Sequence, residues 1–285
     1  MNYPITTLCK VMQVSTSGFY AWRNRAPSER DKRRACIEAS VKQVHEQSHG
    51  IYGSRKITEE LVEREELASA CRNTVVKAMK ALDIQSCSAK TFKPTTTQVD
   101  PRKQAAENVL DQDFTANGPN QKWVSDITYL ATDNGWCYLA VIVDLFSRKV
   151  VGWSLSNSLA TKLVTDALHD AARHRLPCKG AIHHSDRGCQ YTGDAFQDTL
   201  RLLQMQASMS RVGCCYDNAV CERFFWSLKH EWTNRVTLAD LEAARASVFN
   251  YIVTFYNSQR KHQTLGYVSP NHYEASFAAE RSPAA

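Results

Sequence analysis

The sequence predicts an α/β domain, a mixed sheet flanked by helices, preceded by an all-α module. Three observations carry this. From residue 123 onward, three β-rich runs follow one another and then give way to alternating amphipathic helices and short apolar strands. The chain ahead of about residue 84 shows only helical periodicity. Between these parts, residues 85 to 120 are polar and broken by Pro94, Pro101 and Pro119.

Taken in order, residues 1–50 read as an N-terminal helical arm and residues 51–93 as a helix-turn-helix module. In that module the predicted helices are 58–65 and 72–82; Val75, Val76, Met79 and Leu82 pack, leaving Arg72, Asn73, Lys77 and Lys80 available to DNA. Residues 94–120 are a linker with a short helix over 105–110. Residues 121–285 then give strands at 123–131, 137–145 and 149–155, a helix at 160–174 and a strand at 180–185. A helix at 193–204, a strand at 206–210 and a helix at 217–231 follow. Leu163, Val164, Ala167, Leu168 and Ala171 give the 160–174 helix its buried stripe.

With 35 Lys and Arg against 29 Asp and Glu, the chain carries a net charge of +6, which suits a polyanionic partner without requiring one. Residues 1 to 100 hold 16 of the basic and 11 of the acidic residues, so the surplus lies ahead of the α/β part. Arg23, Arg25, Arg30, Lys32, Arg33 and Arg34 are the densest cluster, readable as a solvated helix face or as phosphate contacts. Ten cysteines without a C-x-x-C pair, and without a secretory or membrane-spanning segment, point to reduced thiols in a cytosolic protein. His45 and His49 have a ligand-pair spacing, but Cys71 and Cys87 are too far apart to complete a zinc site.

Three acids carry the chemistry. Asp126 lies in the apolar run WVSDITYL, Asp186 ends a short apolar run in HHSDRGCQY, and Glu222 sits in CYDNAVCERFF, with 35 residues between the second and third. Burying a carboxylate without a partner or a metal is costly, so acids in such places call for one. On the last helix, with Asp217 or Asn218 as its cap, Val220, Phe224 and Leu228 share the core face, and Glu222, Trp226 and Lys229 share another. Carboxylates converging from different elements are what Mg²⁺ needs, since it takes hard oxygen ligands and keeps several waters. Two such ions can activate an attacking oxygen and stabilise a leaving one in phosphodiester chemistry.

The stretches WVSDITYL, YLAVIVDLFSRKVVGW, HSDRGCQY, SMSRVGCCYDNAVCERFFWSLKHE and YNSQRKHQTLGYVSP resemble the successive blocks of DDE transposases of bacterial insertion sequences. The resemblance is to the second-frame (OrfB) product of insertion-sequence family three, and more distantly to the retroviral integrase core. It implies a ribonuclease H-like fold and assigns Asp126, Asp186 and Glu222 as catalytic residues holding two Mg²⁺ ions, for which Mn²⁺ can substitute. Lys229, seven residues past the glutamate, is implied to contact donor-end DNA. Strand cleavage and strand transfer at element ends, a homo-oligomer on double-stranded DNA, and fusion to an upstream-frame product by frameshifting are implied as well. Cys189, Cys214 and Cys221 stand where family members often carry other small or apolar residues.

The remaining conspicuous residues read as follows. Asp144 stabilises the Phe146-Ser147-Arg148 reversal rather than a metal. His183 and His184 are packed or support the site from behind, and His184, Gln190 and Asn218 order the loops around the metals. Tyr256, Asn257, Arg260 and His262, after an apolar helix over 241–255, serve either DNA contact or capping. Two rival readings share parts of this pattern: a ribonuclease H-type hydrolase, which has no use for the 52–84 module, and a DNA-binding regulator, which needs no intact triad.

Overall fold

The computed structural model describes residues 3–64, 71–87, 105–211 and 214–281, the Cys215 side chain excepted, and divides into two compact units, Met1–Ser86 and Cys87–Ala285. None of the described helices is long and apolar enough to cross a membrane.

The first unit is helical: α1 (Ile5–Val11), α2 (Thr16–Arg23), α3 (Glu29–Gln47), α4 (Ser54–Glu63) and α5 (Arg72–Ala81). Ser28 and Asp31 form a reciprocal capping box that starts α3. One face of α3 buries Ile37, Val41 and Val44, at helical spacing, and α3 packs on both α4 and α5. Residues 29–47 are therefore part of the helix-turn-helix cluster and not an arm ahead of it. The first predicted helix starts four residues early, at Ser54, whose carbonyl accepts the Thr58 hydroxyl at 2.7 Å. On α5 the buried residues are Val75, Ala78 and Met79, whereas Val76, expected in the core, is exposed. A stripe at i, i+3 and i+4 leaves i+1 on the solvent side. His45 Nε2 meets the Gln85 carbonyl at 3.1 Å, which ties α3 to the end of the unit.

The second unit holds a five-stranded sheet of order β3-β2-β1-β4-β5: β1 (Lys122–Thr132), β2 (Gly135–Asp144), β3 (Val150–Ser156), β4 (Ile182–Ser185) and β5 (Gln206–Met209). The β1–β2–β3 meander is antiparallel, and β4 and β5 run parallel to β1. Parallel strands need crossovers, supplied here by α6 (Thr161–His174) between β3 and β4 and α7 (Asp194–Leu202) between β4 and β5. This is the mixed α/β sheet expected, each strand and helix lying within about two residues of its predicted bounds.

One face of the sheet buries Trp123, Ala140, Ile142 and Val151 against Leu163, Val164, Ala167, Leu168 and Ala171 of α6. The helix lies so close to β3 that a Cβ on Gly152 would fall 2.4 Å from the Ala167 carbonyl oxygen, which is why that position carries none. The other cluster is aromatic. Phe224 of α8 (Ala219–Glu231) meets Tyr251 and Tyr256, and Trp232 stacks on Phe255. Tyr251, Phe255 and Tyr256 come from the wider π-helical turns Asn250–Tyr256 that prolong α9 (Leu241–Phe249).

Residues 105–110, expected to be a short helix, form no helix. They run as an irregular strap whose Val109 and Leu110 amides both donate to Ser208 Oγ at 3.0 Å, with Leu110 buried. The chain's last described helix, α10 (Pro270–Arg281), brings Glu274 to Arg175, Ser147 and Lys149 at 2.6, 2.7 and 3.3 Å, clamping the reversal after β2.

Candidate active site

Sheet register places the first two acids. Val124 of β1 pairs with His184 of β4 in parallel, so two residues further along both strands Asp126 comes level with Asp186. Asp186 caps its own turn, its Oδ1 accepting the Gly188 amide at 2.9 Å; a Cβ on Gly188 would fall 2.9 Å from that same oxygen. The third acid comes from α8, which packs on β1 with Cys221, Phe224, Phe225 and Leu228 turned inward and Glu222 left exposed. Asn218 fixes the start of α8 to β1 by donating to the Ser125 carbonyl at 3.0 Å. Asn218 thus occupies the N-cap position, as expected, but its amide is committed to β1 and no side chain caps α8.

The electrostatics show what this convergence does. Burial, then repulsion from Asp186 and Glu222, push Asp126 up to about 8, against one backbone hydrogen bond from Ile127 at 2.8 Å and the opposite charge of Lys229. Partial desolvation by its neighbours raises Glu222. Lys229 is half-buried, and desolvation lowers it while Asp126 raises it. The structure thus brings Asp126, Asp186, Glu222 and Lys229 into one electrostatic neighbourhood. The buried Ser125 and Tyr191 hydroxyls lie instead among the apolar side chains on the α6 face of the sheet.

Crowded carboxylates of this kind fit a hard divalent cation, whose charge would offset their repulsion and whose remaining ligands would be water. Among the described residues no three His, Cys, Asp or Glu side chains are already closed up into a metal shell.

The supporting residues divide. His184 sits behind the site, fully buried and lowered to about 4 by burial, its Nδ1 and Nε2 at 2.8 and 3.0 Å from Ser208 and Ser210. His183, lowered to about 3 by burial, packs edge-on against Phe196. Gln190 Nε2 holds the Leu159 carbonyl at 3.1 Å, so it does order the loop after Asp186. Asp144 stabilises its reversal as expected, accepting from Asn120 N, Phe146 N and Trp123 Nε1.

Three residues offered to DNA are not available to it. Tyr256, Asn257 and Arg260 are each at most 7% exposed. Asn257 bridges the Val150 amide and carbonyl at 3.0 and 2.9 Å, and Arg260 makes a two-pronged pair with Glu231 at 2.5 and 2.7 Å. Tyr256 packs edge-on against Phe224. By contrast Arg72, Asn73, Lys77 and Lys80 are all exposed on α5. Of the cysteines near the acids, Cys189 is exposed and Cys214 half-buried, whereas Cys221 is buried with its thiol pushed well up; Cys215 lies outside the described side chains.

Sequence reasoning missed the partners of Asp217. This fully buried carboxylate accepts from Asn108, Gln112, Arg211 and Cys214. Arg211 and Cys214 precede it closely enough to have been suspected, but nothing local marks Asn108 and Gln112, more than a hundred residues away.

Comparison with known proteins agrees with this architecture. An integrase core domain model matches residues 116–215, a second integrase core domain model matches 203–270, and an HTH-like domain model matches 31–91. The transposase InsF for insertion sequence IS3A of Escherichia coli strain K12 is 39% identical over 276 residues, covering 96% of this chain and 94% of the relative. An insertion element IS600 uncharacterized 31 kDa protein of Shigella sonnei is 35% identical, over 92% of this chain and 96% of its own. Among solved structures, the simian T-cell lymphotropic virus intasome in complex with PP2A regulatory subunit B56 gamma aligns with 86% of this chain and 75% of its own, at TM-score 0.47 and 18% identity. The HTLV-2 integrase catalytic core domain in complex with magnesium aligns with 56% of this chain and 99% of its own, at TM-score 0.45 and 17% identity. With an integrase core carrying three convergent acids, a helix-turn-helix-like unit ahead of it, and 39% identity to InsF over nearly the whole length of both chains, the chain belongs to the IS3 family of transposases.

Proposed function

We propose that this transposase cleaves DNA at the ends of its insertion sequence and joins the freed ends to new phosphates, with Asp126, Asp186 and Glu222 holding two Mg²⁺ ions. The observation that carries the reading is the state of Asp126: sheet register sets it level with Asp186, α8 brings Glu222 to it, and burial together with the repulsion of those two carboxylates raises it. When bound, the metals would supply Lewis-acid activation of the attacking oxygen and stabilisation of the leaving one.

The chain's own groups do the positioning. Asp126 and Asp186 hold their carboxylates from a rigid sheet, and Glu222 from a helix packed on that sheet. Lys229 places a cation two turns along from Glu222, where it can take a phosphate of the bound DNA. A water is the first attacking group and frees a 3′ hydroxyl; that hydroxyl attacks a second phosphate at the same site. Neither step needs a covalent bond to the protein, which suits a cluster with no nucleophilic Ser or Cys among its acids.

The helical unit supplies duplex affinity. Arg72, Asn73, Lys77 and Lys80 share the exposed surface of α5, the last helix of the HTH-like match. An oligomer on DNA, a frameshift fusion to an upstream-frame product, Mn²⁺ as a substitute metal and a cytosolic location complete the reading.

Asp126→Asn, Asp186→Asn and Glu222→Gln test it, because each keeps side-chain volume and removes a metal-binding charge. Each is expected to abolish cleavage and strand transfer on element-end DNA while gel-shift affinity persists. Appreciable cleavage by any one of them refutes the triad.

A further inference from the structure

We infer that Asp217 is a positioning residue for Glu222, and that the strap at residues 105–112 belongs to the catalytic machinery because Asp217 is held by it. This rests on the reading of Glu222 as a catalytic acid.

The Asp217 carboxylate is saturated. It accepts from Asn108 Nδ2 at 3.0 Å, Gln112 Nε2 at 2.8 Å, the Arg211 backbone amide at 2.8 Å, Arg211 Nε and Nη2 at 3.1 and 2.8 Å, and Cys214 Sγ at 3.3 Å. Two oxygens offer about four lone-pair sites, so every one is used. A helix-capping role would use one or two, and α8 has no side-chain cap at all. Asp217 instead ties three stretches of chain together immediately before α8: the strap, the segment around Arg211, and the helix start.

The neighbouring residue completes the arrangement. Asn218 donates to the Ser125 carbonyl, one residue before Asp126. Two consecutive side chains thus hang the helix start from the strap on one side and from β1 on the other. Glu222 follows four residues past Asn218, about 6 Å along the helix axis. A shift of the helix start therefore moves Glu222 relative to Asp126.

The strap is itself anchored toward Asp186. Ser208 Oγ accepts the Val109 and Leu110 amides, so its single proton must go to His184 Nδ1 at 2.8 Å. That makes His184 the Nε2–H tautomer, donating to Ser210 Oγ at 3.0 Å, and Ser210 in turn donates to the Ser185 carbonyl at 3.3 Å. A directed chain of hydrogen bonds runs from the strap to the residue before Asp186. The strap touches the supports of the second and third acids at once.

The test uses the full-length protein. Asn108→Ala/Gln112→Ala removes two donors to Asp217 from a segment with little core of its own. It is expected to slow cleavage about a hundredfold at saturating DNA, as a displacement near 1 Å does. Mn²⁺ binding to a complex with uncleaved DNA, read by calorimetry, is expected to weaken roughly tenfold. End-DNA affinity and melting temperature stay near wild type, and Gln112→Lys, which returns a donor, recovers most of the rate. Wild-type turnover and Mn²⁺ affinity in the double variant overturn the inference. So does a rate loss that follows a fall in melting temperature with Mn²⁺ affinity intact. Asp217→Asn is expected to exceed the double variant, and if it does not fold the strap variants still decide. Full activity of Glu222→Gln would instead sink the triad, whereas an inactive Glu222→Gln beside normal strap variants sinks only the positioning role.

Discussion

Asp126 and Asp144 occupy the two strands of one hairpin, three positions apart in the β1–β2 register, and burial raises both. Around Asp144 the chain supplies donors: the Asn120 amide at 2.6 Å, the Phe146 amide at 2.8 Å and the Trp123 indole at 3.3 Å. Around Asp126 it supplies one amide, two further acids and, as the weakest influence, the partly desolvated Lys229. Burial is common to both regions, so burial does not mark function. What separates them is whether the surroundings answer a carboxylate's charge or repeat it.

The comparison breaks most sharply under Asn substitution. Asp126→Asn is expected to remove all strand transfer and yet make the metal-free protein more stable at high pH. The sign follows from linkage: with Asp126 raised to about 8, the native state holds a proton that the unfolded chain releases near 4. Stability from this group is complete below the unfolded value and lost as pH rises through about 8. The variant should therefore melt higher than wild type above pH 8, an advantage that Mg²⁺ narrows by binding only the wild type. Asp144→Asn should do the reverse, costing about 2 kcal/mol as an amide nitrogen faces donors, with the folded fraction still active. Denaturation at pH 6 and 9, with and without Mg²⁺, checks both; equal behaviour of the two variants would erase the distinction.

The buried Arg260–Glu231 pair extends the contrast to an acid matched by a cation. Arg260 also reaches Ser227 at 3.2 Å, and the Tyr251 hydroxyl donates to Glu231 at 2.9 Å, so the network is closed. Arg260→Ala removes the cation from the buried Glu231 carboxylate, which costs about 3–5 kcal/mol. Replacing Glu231 by Leu and Arg260 by Met together should recover much of that. Chemical denaturation measures it, and end-DNA affinity of the folded variant should match wild type. A loss of affinity at unchanged stability would return Arg260 to the DNA surface.

These cases show what a sequence exposes. The strands and helices around the sheet were legible because each announces itself within about ten residues, by apolar alternation or a helical stripe. The three acids were legible for the same reason, each interrupting such a pattern. Arg260 was not: a basic residue after an apolar helix looks the same whether it meets solvent or Glu231, 29 residues earlier. The strap was read as linker because its anchors, Ser208 and Asp217, lie about a hundred residues on. Nor did the charged sequence of α3 reveal that Ile37, Val41 and Val44 face α4 and α5.

Lys229 gives the smallest and most discriminating effect, because it is the cation nearest the unanswered charge of Asp126. Its half-buried position and the mutual influence of the two groups mean that its charge acts inward on the acids as well as outward on DNA. Lys229→Ala should weaken end-DNA binding about tenfold and reduce the salt dependence of binding by roughly one charge. It should also raise Asp126 further, since a cation that favoured the ionised form is gone. The acid limb of the pH–rate profile then moves to higher pH. Lys229→Arg keeps the charge and should leave that limb in place even where its bulk lowers the rate. An alanine variant with altered affinity but an unmoved limb would make Lys229 a DNA contact alone; an unchanged affinity and limb would make it ordinary surface charge.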